Sequence, residues 1–97
     1  MAFTTRVELH NATREDYTKL HERMRSAGFR TTIKSDNSLT YQLPPAEYRY
    51  EASDLTIEQV RDKANSVAAT VKPSPAIFVT RGEMCAWIGM EQIYAAA

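Results

Sequence analysis

The chain has 97 residues, 43% of them hydrophobic and 25% charged, which bounds it to one folded domain and excludes the sparse, highly charged compositions that stay disordered. Twelve Lys and Arg balance twelve Asp and Glu, so no global field draws the protein to nucleic acid or an anionic membrane, and any such binding must come from a local patch. A lone cysteine excludes an internal disulfide, and no apolar run approaches the ~20 residues of a membrane span, so the expected compartment is the cytoplasm.

The opening stretch from Phe3 to His10 alternates, sending Phe3, Thr5, Val7 and Leu9 one way and Thr4, Arg6, Glu8 and His10 the other. That pattern predicts a half-buried strand with helices on its apolar side and solvent or a ligand on the side of Arg6, Glu8 and His10. Thr13 and Asp16 then form a capping-box pattern, and Tyr17, Leu20, Met24 and Ala27 line one side of a helix that closes at Gly28, with Phe29 folding back in a Schellman ending.

Arg30 to Ser35 and Ser38 to Leu43 read as a hairpin around Asp36 and Asn37. A three-residue loop with Ser35 opposite Leu39 keeps the faces consistent: Thr31 and Ile33 align with Leu43 and Tyr41, and Arg30, Thr32, Lys34, Thr40 and Gln42 take the other side. Pro44 and Pro45 stop it, leaving Ala46 to Ser53 as a connection or short edge strand.

Thr56 with Gln59 starts a second helix, flanked by Leu55 and Val60 as a hydrophobic staple, and Ile57, Val60, Ala64, Val67, Ala68 and Val71 form its buried stripe. After the stiff Lys72-Pro73-Ser74-Pro75 linker, Ala76 to Thr80 is an apolar run that predicts a strand buried near the middle of the sheet. Cys85 to Met90 is expected to return beside it as a final hairpin strand, with Cys85 buried and inert, and Met24, Met84 and Met90 as packing residues.

This order is that of an α+β, ferredoxin-like βαββαβ unit with an additional C-terminal strand, two helices on one face of an antiparallel or mixed sheet, and the Phe3 strand central beside the Ile77 strand. The candidate chemistry lies on the opposite face. His10, at the strand's end, has the pKa range for proton transfer, and Glu8 and Arg6 stand on the same side; the plain alternative is a solvated surface. Arg6, Arg30 and Lys34 make a basic strip, with Tyr48, Tyr50 and Trp87 as stacking surfaces of the kind that bind single-stranded RNA. No glycine-rich phosphate loop, zinc-ligand spacing or HExxH is present, so neither a metal nor a cofactor is expected.

The opening strand ending Val-Glu-Leu-His, the Asp16-Tyr17 helix, the Met24 to Phe29 segment and the Leu39 to Pro44 strand together resemble the GhoS family of bacterial and phage proteins. That family contains a type V antitoxin described as an endoribonuclease acting on its toxin's message, with a ferredoxin-like fold similar to the small CRISPR adaptation nuclease. The resemblance implies an antitoxin-like, RNA-cleaving protein of a toxin-antitoxin system. Related nucleases favour an aspartate at the end of the first strand, the place His10 holds here, and Arg25 lies in the most similar part of the first helix. Two readings stand: a protein that binds and cleaves single-stranded message, with His10 and Glu8 catalytic and Arg6, Arg30 and Lys34 binding RNA; or a non-catalytic phage or mobile-element protein that pairs with itself or a host protein.

Overall fold

In the computed structural model, which describes residues 1–94, the opening alternation becomes β1, Ala2–Glu8, with Phe3, Thr5 and Val7 buried and Arg6 and Glu8 exposed. It is the middle strand of an antiparallel sheet, between β4, Glu47–Glu51, and β5, Ala76–Arg81. A bridge between Arg30 and Arg49 attaches the start of the hairpin to the far side of β4, which gives the ferredoxin-like frame its fourth position.

Both helices have the ends their sequences predict. In α1, Arg14–Ser26, the Thr13 hydroxyl accepts from the Asp16 amide and the Asp16 carboxylate accepts from the Thr13 amide. The Phe29 amide donates to the Met24 carbonyl and the Gly28 amide to the Arg25 carbonyl, the paired bonds of a Schellman ending. Gly28 has a φ of +94°, which favours glycine, and a Cβ there would sit 3.3 Å from a ring carbon of Tyr50, which would have to give way slightly. In α2, Ile57–Ala69, Thr56 and Gln59 form the equivalent box.

The core joins Phe3, Val7, Leu9 and Tyr48 from the sheet to Leu20 and Met24 of α1 and Val60, Ala64 and Ala68 of α2, with Phe29 between them. The two helices therefore cover the Phe3 side of the sheet, and the Arg6 and Glu8 side is free of them.

The hairpin holds the expected register: β2, Thr32–Lys34, pairs with β3, Thr40–Gln42, as Thr32 with Gln42, Ile33 with Tyr41 and Lys34 with Thr40, while the Ser35 amide donates to Leu39. Ala46 to Ser53 contains β4, the short strand at one end of the main sheet that was one of its two expected forms, with Tyr48 and Tyr50 alternating with charged residues to fill the core side and Arg49 bridged to Arg30 beyond it. Other expectations give way. The third strand of the βαββαβ frame is thus β4, and β3 belongs to a second sheet.

Cys85 to Met90 forms no strand. The chain crosses from β5 to β6, Gln92–Ile93, which pairs with β3 and completes the second sheet in the order β2, β3, β6. Along that crossing Cys85 is exposed rather than buried, and Met84, 98% exposed, packs on nothing. β5 lies at an edge of the main sheet rather than near its middle: Ile77 and Val79 face the core while Phe78 points outward, 66% exposed.

Among the described residues no helix is long and apolar enough to cross a membrane.

Candidate nucleic-acid interface

On the helix-free side of the sheet, opposite residues of neighbouring strands share a face. Phe78, Arg6 and Glu47 form one row across β5, β1 and β4; Thr80, Thr4, Arg49 and Arg30 form the next. Arg6 is exposed between Phe78 and Glu47. Arg30 is exposed and lies 3.6 Å from Glu51, a solvated pair of small energetic weight.

Glu8 and His10 stand together at the solvent end of β1, 4.0 Å apart, with side chains 70% and 54% exposed. Lys34 is exposed on the hairpin, away from that end, beside the cleft described below. The structure thus places Arg6 and Glu8 on β1, His10 in the bend just past its end, and Arg30 on the same sheet face, with Lys34 carried off by the second sheet.

The expected stacking residues are redistributed. Tyr48 is fully buried, and Tyr50 stacks on Phe29 at 4.5 Å beneath Lys63, whose ammonium lies 4.6 Å from the Tyr50 ring centre. Both rings are therefore committed to the helix side. Trp87 remains on the other side, edge-on to Tyr41 with ring centres 5.5 Å apart. Phe78 is the ring that the sequence reading missed, because a short apolar run looks the same whether it fills a central strand or half of an edge strand.

Arg49 is the second omission. It points away from the core, yet is only 7% exposed, because the hairpin and the 83–87 crossing lie over it. One guanidinium nitrogen donates to the Thr4 hydroxyl at 2.7 Å, and among the described residues no carboxylate comes within ion-pair distance. Its signal was the Tyr48-Arg49-Tyr50 alternation, obscured by the prolines before it.

On the helix side, a groove of about 340 Å³ runs between α1 and the Pro44 to Glu47 turn, lined in part by His21 and Arg25. His21 Nδ1 lies 2.6 Å from the Tyr48 hydroxyl. Burial, and then the charge of Arg25, hold His21 below the ordinary imidazole range, while burial above all pushes the Tyr48 phenol up. Both groups are therefore neutral near pH 7, and the phenol and Nδ1 share one hydrogen bond whose direction follows the imidazole tautomer.

Because folding lowers the histidine's pKa, the unfolded chain takes up the proton first. The stabilisation is complete above about pH 6.5 and declines as pH falls through the folded value. The thermal midpoint should drop between about pH 7.5 and about pH 5.5, and drop less in His21→Gln. Equal drops in the two proteins would remove His21 as the titrating group.

Among the described residues, no three His, Cys, Asp or Glu side chains gather closely enough to hold a metal ion. Searches against family models, curated proteins and solved structures return no match to this chain.

Proposed function

We propose that the protein binds single-stranded RNA across the face of the sheet that its helices leave free, and that it works in the cytoplasm, where message is found. The observation that carries the reading is Phe78 beside Arg6: an exposed ring and an exposed cation opposite each other on adjacent strands. A base stacks on any aromatic face whatever its sequence, and a neighbouring cation takes the phosphate. Arg30 extends the track across β4, and Lys34 continues it onto the hairpin. The resemblance to the GhoS family points to the same class of ligand.

Cleavage has less support than binding. His10 and Glu8 are solvated at the end of β1, 4.0 Å apart, with no enclosing wall to hold a reacting phosphate against them.

Fluorescence anisotropy with a short AU-rich single strand tests the proposal. Three phosphate contacts, from Arg6, Arg30 and Lys34, predict a slope of log affinity against log salt of about −2, and Arg6→Gln should make it shallower by about 0.7. Absence of binding at low salt, or a slope that Arg6→Gln leaves unchanged, overturns the proposal.

A further inference from the structure

Arg49 presents a problem that the RNA track does not solve. Arg49 is only 7% exposed and its side chain donates to the neutral Thr4 hydroxyl, while its remaining donors are not sealed in and stay open to an incoming acceptor. Neighbouring carboxylates do not serve: Glu51 turns to Arg30, and Glu47 makes no ion pair among the described residues.

The guanidinium instead borders a cleft of about 350 Å³ between the hairpin and the 83–87 crossing. Lys34 adds a second positive charge at the rim, Trp87 and Tyr41 supply ring surface, and Asp36 and Glu83 stand as acceptors. We infer that this cleft binds a nucleoside monophosphate, with Arg49 and Lys34 on the phosphate and the base against Trp87.

Each part of the ligand answers a feature of the wall. A planar guanidinium held by Thr4 offers paired N–H donors to a phosphate, and the mobile Lys34 ammonium closes on it from the rim. The indole is half-buried, already fixed edge-on by Tyr41, and presents a face for a base at little cost in side-chain freedom. Two carboxylates would repel a bare anion, but they accept hydrogen bonds from the N–H groups of a base. The mixed lining therefore suits a ligand with a negative end and a donor end better than it suits phosphate alone. The volume lies at the low end of small-ligand sites, roughly 300–1,000 Å³. The inference does not depend on RNA following the sheet face, since it concerns one nucleotide in one cleft.

Trp87 is the only tryptophan in the chain, so its fluorescence reports directly on the cleft. Titration with the 5′-monophosphates of adenosine, guanosine, cytidine and uridine, and separately with the nucleosides and inorganic phosphate, tests the assignment. At least one nucleotide should quench the signal saturably with a Kd between about 10 μM and about 1 mM, and its nucleoside and inorganic phosphate should each bind at least about tenfold more weakly.

Arg49→Met should weaken that nucleotide by about tenfold or more, and Lys34→Gln, at an exposed position whose loss leaves the core intact, by about threefold or more. A flat response to every nucleotide overturns the inference. So does inorganic phosphate binding as tightly as the nucleotide, or a Lys34→Gln protein that binds like the parent. A positive nucleotide titration with no affinity for longer RNA would sustain the cleft and reject the sheet-face track; the reverse result would do the opposite.

Discussion

Phe29→Ala is expected to lower the free energy of unfolding by about 3–5 kcal/mol, which is a large share of the roughly 5–15 kcal/mol that holds a domain of this size together. Phe29 is fully buried and follows directly on the Schellman turn of α1. Its ring stacks on Tyr50, with Lys63 over the same pair at 5.9 Å and 4.6 Å from the two ring centres. Removing it opens a cavity where α1, β4 and α2 meet. The thermal midpoint should fall by at least about 12 °C. Urea unfolding would show the same loss, and a cost below about 1.5 kcal/mol would mean that this junction is not the centre of the core.

Phe78→Ala should do the reverse, leaving stability within about 0.5 kcal/mol and reducing affinity for a short single-stranded RNA by about 5- to 150-fold, the range for the loss of one stacked base. The contrast depends on position alone: both residues are phenylalanine, one enclosed and one 66% exposed on an edge strand. Anisotropy and sedimentation on the same samples separate the two readings of the exposed ring. If RNA affinity is unchanged while a dimer of the parent protein falls apart, the ring belongs to a contact between copies, made along an edge of β5 that no described strand covers.

Much of the frame was legible in the sequence because local chemistry and global packing agree there. Both capping boxes, the Gly28 ending, the β1 alternation and the hairpin register each have a short-range cause, and the structure reproduces each. The failures are places where a long-range partner decides. Pro44 and Pro45 end β3 as their missing amides predict, but whether a connection or a short edge strand followed was settled only by Tyr48 and Tyr50, which reach the core from β4. Ala76 to Thr80 was apolar enough for a central position and occupies an edge, since no other strand is available beyond it.

The candidate interface was legible in part for the same reason. Arg6, Glu8 and His10 follow from alternation on one strand. Arg49 and Phe78 depend on which strands flank β1, and Lys34 depends on a second sheet that the sequence did not announce. The cleft beside Arg49 combines the hairpin, β4 and the crossing to β6, three segments that no local pattern links.

The placement of β1 also constrains how this polypeptide comes into being. Phe3 pairs with Tyr50 on one side and with Arg81 on the other, so β1 leaves the ribosome well ahead of β5 and must wait for it before its hydrogen bonds are complete. Until then α1, β4 and α2 can already cover its apolar row of Phe3, Val7 and Leu9, but the strand's edge towards β5 stays unpaired. Synthesis thus exposes a sticky intermediate whose lifetime is set by translation speed, and slow codons ahead of Ala76 would prolong the interval in which chaperones are needed.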